Sequence, residues 1–143
     1  NKIGEAILEF SNNPNDFTLL NIKNKGEESL LVLSKIKGFE TDKKFDIIWS
    51  AGLFDYFDDK AFVFILRKFK TWVAPHGEIV IGNFNSQHNP TRDYMELFGD
   101  WYLHHRSSEE LIALAMEAGF DESQVAVGCE NEKVNLFLRI TMG

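Results

Sequence analysis

The chain has 143 residues, of which 44% are hydrophobic and 26% are charged. This composition is typical of one globular domain, and it excludes a disordered chain, a disulfide scaffold and a two-domain enzyme. Fifteen Lys and Arg residues against 22 Asp and Glu residues give a net charge of -7, which disfavours nucleic acid as the partner.

The single cysteine, Cys129, cannot form an internal disulfide bond, so a reducing compartment is the simplest interpretation. No apolar run approaches the ~20 residues of a membrane-spanning helix, and residues 1–5 do not resemble a signal peptide. We therefore expect a soluble, cytoplasmic protein without a membrane span. Because the chain begins with Asn inside a predicted helix, we also expect it to be the C-terminal part of a longer protein.

Helix and strand signals alternate along the first part of the chain. Residues 3–10 have the three- and four-residue spacing of an amphipathic helix, which the Asn-Asn-Pro-Asn turn at 12–15 ends. Residues 17–22 have the composition of a short buried strand. Residues 27–36 again have helical spacing, and Lys37-Gly38 is a typical helix end.

The middle of the chain continues this alternation. Residues 45–49 are nearly all apolar, as in a parallel strand that is buried on both faces. Residues 61–73 predict a helix with two acids before it and a Pro-His-Gly turn after it. Residues 78–84 predict a second buried strand, and the polar residues 85–91 predict a loop.

The last part predicts one helix and a hairpin. Residues 107–110 have the Ser-Ser-Glu-Glu sequence of a capping box, which begins a helix over 108–118 that Gly119 ends. Residues 124–129 and 134–142 predict two antiparallel strands. The repeated strand-helix order favours a single α/β domain over residues 1–143, with parallel crossovers.

Ligands of an open parallel sheet bind beyond the carboxyl ends of its strands, so the loops after residues 22, 49 and 84 are the candidate site. After residue 49, the small residues 50–52 let a flat ligand approach the backbone, and Asp55 and Tyr56 add a carboxylate and a phenol. The alternative interpretation is a tight turn with an acidic helix cap and no ligand.

Two further segments are rich in groups that form hydrogen bonds. Residues 85–92 are polar, and residues 101–106 combine aromatics, two histidines and an arginine that could hold a carboxylate. A solvated loop is the alternative for the first segment. Adjacent histidines face opposite sides of an extended segment, so no metal site is expected. Nor does a Gly-x-Gly-x-x-Gly, Gly-x-Ser-x-Gly or Walker motif occur in the sequence.

Four sequence motifs follow one another from residue 45 onward. They are Phe45-Asp-Ile-Ile-Trp49, Pro75-His-Gly77 followed by Glu78-Ile-Val-Ile81, Ala115-Met-Glu-Ala-Gly-Phe120 and a closing hairpin. In this order they resemble the C-terminal half of a class I S-adenosylmethionine-dependent methyltransferase. More narrowly, four motifs resemble the bacterial branch associated with extracellular-factor or 3-hydroxypalmitic acid methyl ester synthesis: Ser50-Ala-Gly-Leu-Phe-Asp-Tyr56, Gly82-Asn-Phe-Asn85, Asn89-Pro-Thr-Arg92 and Trp101-Tyr-Leu-His-His-Arg106.

The resemblance implies a partial Rossmann-like α/β sheet. In the family order 3-2-1-4-5-7-6, residues 17–22 would be strand 3, followed by strands 4 and 5 and the antiparallel pair 6-7. Strands 1 and 2, which carry the glycine loop and the acid that bind the cofactor, are missing. We therefore expect this chain alone to bind S-adenosylmethionine weakly or not at all. Its exposed sheet edges also favour pairing into a homodimer.

The resemblance also implies functional residues. Those for the cofactor are Asn24 and Lys25 near the adenine and Ser50, Ala51 and Gly52 around the sulfonium. Those on the acceptor side are Asp55, Tyr56, Asn83, Asn85 and Arg92. Arg92, with Arg106 as the second choice, would hold a substrate carboxylate, while Tyr56 and Asn85 would form hydrogen bonds to it.

The implied reaction moves a methyl group from the sulfonium to an acceptor oxygen of a small or acyl substrate. Because a carboxylate is already nucleophilic, such a reaction needs alignment and no catalytic base. Two other functions remain open at this stage. One is a non-catalytic α/β interaction module without a cofactor, and the other is a different acyl-group transferase.

Overall fold

The computed structural model describes residues 4–13, 16–24 and 36–143. Its strands are β1 (Gly4–Asn13), β2 (Asp16–Asn24), β3 (Phe45–Ala51), β4 (Val73–Phe84), β5 (Val125–Cys129) and β6 (Asn135–Thr141). Its helices are α1 (Asp59–Trp72), α2 (Arg92–Gly99) and α3 (Ser108–Glu117), with short 3-10 turns at Phe54–Tyr56 and Glu122–Gln124. The strands form one sheet in the order β2-β1-β3-β4-β6-β5.

The four strands β3-β4-β6-β5 form a mixed sheet. β3 and β4 are parallel, and helix α1 connects them. β6 pairs antiparallel with both β4 and β5, which confirms the predicted closing hairpin. This is the order of strands 4, 5, 7 and 6 in the predicted sheet, so the predicted fold class is confirmed for this part of the chain.

Helices α1 and α3 cover one face of the sheet. Their buried residues form one core with the inward residues of β3, β4 and β6, which include Ile48, Ile79 and Leu138. The ring of Phe54 packs edge-on against Phe62 at a centroid distance of 4.8 Å. Because each buried aromatic or aliphatic side chain stabilises the fold by roughly 1.5–3 kcal/mol, this core anchors the residues that follow β3.

The opposite face of the sheet is more open than the sequence predicts. In β3, Ile48 is fully buried, whereas the neighbouring Ile47 is 47% exposed. Phe137 of β6 is 37% exposed on the same side as Ile47, since residues of adjacent strands in register share a face. The prediction that residues 45–49 are buried on both faces is therefore wrong, because the core formed by α1 and α3 covers only one of them.

The predicted helix over residues 3–10 is wrong, because these residues lie in β1. β1 pairs antiparallel with β2 and with β3, where Ile7 faces Ala51. The segment also has a partial two-residue pattern, in which Ala6, Leu8 and Phe10 are two residues apart and Ile7 interrupts the alternation. Sheet pairing on both sides satisfies the backbone hydrogen bonds of this segment and prevails over its helical spacing.

The predicted strand at 17–22 is present within β2. It lies at the edge of the sheet and runs in the same direction as β3, as a third strand would, but its neighbour is the antiparallel β1 rather than a parallel second strand. Residues 14–15 of the predicted turn at 12–15 and most of the predicted helix at 27–36 lie outside the described residues, whereas residues 12–13 end β1. Residues 36–38, at the predicted end of that helix, are helical.

The predicted turn at Pro75-His76-Gly77 lies inside β4 as an irregularity. Phe45 faces Val73, but Ile47 already faces Glu78, so β4 contains extra residues at this point. His76 has a positive φ of 63°. A Cβ atom at Gly77 would lie 2.9 Å from the Asp46 carbonyl oxygen, so only glycine fits where β4 passes this close to the backbone of β3.

Helix α2 was not predicted from the sequence. Its side chains Tyr94, Leu97 and Phe98 are 69%, 77% and 79% exposed, and Met95 is its buried residue. These three residues have the i, i+3, i+4 spacing of an apolar stripe, but the stripe is exposed and does not face the core. None of the helices in the described ranges combines the length and apolar composition that crossing a bilayer requires.

Helix α3 begins as predicted. The Ser107 hydroxyl accepts a hydrogen bond from the Glu110 N–H at 3.2 Å, and the Glu110 carboxylate accepts one from the Ser107 N–H at 2.7 Å. This capping box satisfies two backbone donors that the helix itself leaves free. Gly119, with φ of 99°, follows the end of the helix.

We predict that Ser107→Ala lowers the free energy of unfolding by about 1 kcal/mol, because the Glu110 N–H loses its acceptor. Ser108→Ala is the matched control, since Ser108 lies inside the helix and Ala is favoured there. Urea unfolding monitored by circular dichroism measures both variants. Equal stability of the two would contradict the capping role.

Candidate functional site

The candidate site lies where β3 and β4 end side by side. The 3-10 turn follows β3, a polar loop follows β4, and the segment 103–106 crosses between them. The His104 N–H donates to the Asp55 carbonyl oxygen at 2.7 Å, and the Arg106 N–H donates to the Phe84 carbonyl oxygen at 2.9 Å. This crossing segment therefore ties the two strand ends together.

Arg106 is the most highly connected side chain of the site and is only 3% exposed. Its Nη1 group donates to the Phe54 carbonyl oxygen at 3.0 Å and to Asn83 Oδ1 at 2.8 Å. Its Nη2 group donates to the Phe57 carbonyl oxygen at 2.5 Å and to Asp59 Oδ1 at 3.1 Å. Nε also donates to Asp59 Oδ1, at 3.2 Å.

These contacts use all five N–H donors of the guanidinium. Burial lowers the pKa of Arg106, and the hydrogen bond and charge of Asp59 oppose that shift. The guanidinium also lies over the Phe62 ring, 4.6 Å from its centroid. Arg106 therefore has no donor left for a substrate carboxylate, and its observed contacts hold the loop after β3.

Asp55 lies in the sequence between Phe54 and Phe57, the two residues whose carbonyl oxygens accept hydrogen bonds from Arg106. Its Oδ1 atom accepts a hydrogen bond from the Phe84 N–H at 2.6 Å. Burial raises the pKa of Asp55 from its ordinary value of 3.8 to about 6, against the opposing effects of the backbone hydrogen bonds and the Arg106 charge. The carboxyl thus links the loop after β3 to the end of β4.

Tyr56 is half-buried and has one side-chain partner. Its hydroxyl oxygen accepts a hydrogen bond from Trp101 Nε1 at 3.0 Å. Burial raises the pKa of Tyr56, the Trp101 hydrogen bond lowers it, and the nearby Asp55 charge raises it. The phenol is therefore neutral at physiological pH and keeps its proton.

Asn85 fastens the loop after β4 to the closing hairpin. Its Nδ2 group donates to the Lys133 carbonyl oxygen at 2.9 Å, and its N–H donates to the Val134 carbonyl oxygen at 2.8 Å. Its Oδ1 atom accepts a hydrogen bond from the Gln87 N–H at 3.0 Å. Most of the polar capacity of this side chain is therefore used within the protein.

Arg92 is the first residue of α2, and its side chain is 42% exposed. Its Nε atom donates to Glu96 Oε1 at 2.9 Å, a pairing one helical turn apart. Its two Nη groups have no partner within the described parts of the chain. Four N–H donors of Arg92 are thus available to a ligand, in contrast to those of Arg106.

Four of the five residues assigned to the cofactor are described, and they lie at the same end of the strands. Ser50 is buried in β3, and its hydroxyl has no hydrogen-bond partner among the described residues. Ala51 ends β3, and Gly52 follows it with a positive φ of 72°. Asn24 ends β2 opposite Gly4, whereas Lys25 lies outside the described residues.

Three further residues near the site had no individual role assigned from the sequence. Trp101 and His105 belong to the segment 101–106 that was singled out, and Asp59 is one of the two acids noted before the helix. Trp101 and Asp59 contact Tyr56 and Arg106, respectively, as described above. Asn89 Nδ2 lies 3.0 Å from Nε2 of the third, His105, whose Nδ1 lies 3.2 Å from the Leu103 carbonyl oxygen. Because a carbonyl only accepts, Nδ1 carries the proton and Asn89 donates to Nε2. Burial lowers the pKa of His105, which keeps it neutral.

The chain resembles solved structures in fold. A candidate exported protein from Bordetella parapertussis has a TM-score of 0.60 at 17% identity, covering 75% of this chain and 42% of its own. An O-methyltransferase assigned in Nostoc punctiforme has a TM-score of 0.58 at 18% identity, covering 74% and 34%. SibL, an S-adenosylmethionine-dependent methyltransferase in its apo form, has a TM-score of 0.59 at 15% identity, covering 75% and 33%.

These similarities show that the chain has the fold of the C-terminal part of methyltransferases. It spans between 33% and 42% of the length of the three proteins. In sequence, the chain matches no protein-family model and no curated protein. The fold class is therefore defined by structure alone.

The described residues fit one side of an S-adenosylmethionine site. The unpartnered Ser50 hydroxyl and the turn at Gly52 suit a ligand beyond the end of β3. On the other side of β3, however, the adjacent strand is the antiparallel β1. The described residues thus supply a wall next to β3 and β4, without a glycine-rich loop or a ribose-binding acid beside it.

The raised pKa of Asp55 predicts how stability depends on pH. Below about pH 3, the carboxyl is protonated in both the folded and the unfolded chain. As the pH rises from about 3 to about 7, the unfolded chain releases this proton first, so the free energy of unfolding falls by about 3 kcal/mol from this group.

Asp55→Asn removes the titration and keeps an acceptor for the Phe84 N–H. We expect the fall in unfolding free energy between about pH 3 and about pH 7 to shrink by that amount in this variant. Asp42→Asn, at an exposed position, is the control and should follow the natural chain. Urea titrations at several pH values measure the difference, and parallel curves for Asp55→Asn and the natural chain would contradict the raised pKa.

Proposed function

We propose that this chain forms the acceptor-binding part of an S-adenosylmethionine-dependent methyltransferase that methylates an oxygen, preferably a carboxylate, of a small or acyl substrate. The observation that carries the proposal is the arrangement at the ends of β3 and β4. A buried, unpartnered Ser50 hydroxyl lies at one strand end, and a Tyr56 phenol with a free proton follows it. The methyltransferase fold of β3-β4-β6-β5 supports it.

The proposed cofactor would supply an electrophilic methyl group on its sulfonium. The Ser50 hydroxyl and the turn at Gly52 would face that cofactor. Arg92 would bind the substrate carboxylate through its Nη groups, because Nε is already paired with Glu96. Tyr56 would donate a hydrogen bond to the same substrate. A carboxylate needs no general base, so these side chains only orient it and keep water away.

The proposal extends to the substrate, the cellular location and further contacts of the enzyme. The motif resemblance favours the bacterial branch for 3-hydroxypalmitic acid methyl ester synthesis, and hence an acyl carboxylate as acceptor. The chain would work in the cytoplasm as the C-terminal part of a longer protein. Asn24 and Lys25 would lie near the adenine, and Asn85 would contact the acceptor through its remaining N–H. The edge strands β2 and β5 would offer pairing surfaces for a homodimer.

A specific observation favours a second candidate, a non-catalytic interaction module. β1 is antiparallel to β3, with Ile7 facing Ala51, at the position where the proposed enzyme would need a parallel strand and its glycine loop. The two candidates differ in whether methyl transfer occurs. Incubating the full-length protein with labelled S-adenosylmethionine and a panel of plain and 3-hydroxy fatty acids tests this, and failure to bind the cofactor would favour the module.

Arg92→Met provides the sharper test of the acceptor. We expect the full-length enzyme to lose roughly 10- to 150-fold in acceptor affinity, because a charge-assisted contact worth about 1.5–3 kcal/mol disappears. The affinity for S-adenosylmethionine should not change. Steady-state kinetics with the accepted fatty acid and calorimetry with the cofactor measure the two effects.

Arg139→Met and Arg106→Met are the comparison variants. Arg139 pairs with Glu78 on the sheet surface, so its replacement should leave acceptor affinity unchanged. Arg106→Met should instead destabilise the fold by roughly 1–3 kcal/mol for each buried acceptor that loses its donor, which are Asn83 Oδ1 and two carbonyl oxygens. If a folded Arg106→Met variant loses the acceptor and Arg92→Met does not, the assignment of Arg92 is wrong.

A further inference from the structure

Trp101 and Tyr56 form a polar pair in the candidate site. The indole Nε1–H is a donor only, so the 3.0 Å contact has one direction: Trp101 donates and the Tyr56 oxygen accepts. The phenol has one proton of its own, and no acceptor for that proton lies among the described residues. The contact therefore leaves Tyr56 with a donor and no partner for it.

The position of Trp101 is set by the end of helix α2. Asp100 follows the helix in the left-handed region, with φ of 47°, and the Trp101 N–H donates to the Met95 carbonyl oxygen at 3.0 Å. Met95 is the buried residue of α2. The backbone of Trp101 is thus attached to the end of helix α2. This attachment fixes the position from which the indole N–H reaches Tyr56.

An accepted hydrogen bond polarises a hydroxyl and strengthens the bond that it donates. Donation to an ionised oxygen is about twice as strong as donation to a neutral one. Since burial keeps the phenol neutral, Tyr56 holds its proton over the physiological range of pH. A ligand oxygen that carries charge is therefore the acceptor that gains most from this phenol.

We propose that Trp101 is a positioning residue that commits the Tyr56 hydroxyl to donation, so that this site takes a ligand with an oxyanion and binds the matching alcohol more weakly. The inference rests on the proposed function only in that the oxyanion would be the methyl acceptor. The pair itself makes no contact that requires a cofactor.

A phenol titration tests the pair directly. The chain has three tyrosines, so Tyr94→Phe combined with Tyr102→Phe leaves Tyr56 as the only one, and both replaced residues are exposed. Ultraviolet absorbance then follows the ionisation of Tyr56 alone. Octanoate should move its midpoint upward by about one pH unit, because the neutral phenol donates to the carboxylate, whereas 1-octanol should move it less.

Adding Trp101→Phe to this background should raise the midpoint measured without a ligand, because the phenolate loses the indole hydrogen bond. It should also reduce the shift that octanoate causes. The matched control retains Tyr102 alone, through Tyr56→Phe and Tyr94→Phe, and octanoate should leave its titration unchanged. An unchanged midpoint in Trp101→Phe, or equal shifts with octanoate and 1-octanol, would overturn the proposal.

A second variant covers the case in which Trp101→Phe fails to fold by circular dichroism. Tyr56→Phe in the otherwise natural chain should bind octanoate about tenfold more weakly by calorimetry. Equal affinity would also overturn the inference. Because these measurements contain no S-adenosylmethionine, a failure of methyl transfer alone would reject the proposed function and leave this inference standing.

Discussion

The buried guanidinium of Arg106 is the interaction on which the geometry of the candidate site depends. It joins the carbonyl groups of Phe54 and Phe57, the first residue of α1 and the end of β4. Removing such a charge from water is unfavourable, and the ion pair with Asp59 together with three neutral acceptors offsets the penalty. Since its acceptors flank Asp55 and Tyr56, Arg106 holds both residues in place without contacting them.

The 3-10 turn after β3 makes polar contacts at the site and apolar contacts in the core. The Asp55 carboxyl accepts a hydrogen bond from the Phe84 N–H at the end of β4, while the Phe54 ring packs against Phe62 of α1 in the core. The same short turn therefore has one side chain in the core and two at the site. A rearrangement of the turn would disturb both sets of contacts, so the geometry of the site and the stability of the core are coupled.

The sequence predicts the elements whose signals are local. The capping box at Ser107 marks α3, and the apolar run at 45–49 marks β3, because both patterns are complete within a few residues. The strand β1 lacks this property, since its spacing fits a helix and only its pairing with β2 and β3 makes it extended. The role of Arg106 also depends on distant residues, because its partner carbonyl at Phe54 is 52 positions away.

The acceptor wall of the proposed site, formed by Arg106, Asp55, Tyr56 and Trp101, and its cofactor side depend on different parts of the chain. The contacts of Arg106, Asp55 and the Tyr56–Trp101 pair all join residues between 54 and 106. The remaining side of β3 is instead set by β1, whose direction is opposite to that of a parallel first strand. A change of the strand beside β3 would therefore alter the cofactor side while leaving every hydrogen bond of the acceptor wall in place. In the function that we propose, the acceptor wall therefore forms independently of the strand beside β3, and the described residues contribute one wall of the cofactor site.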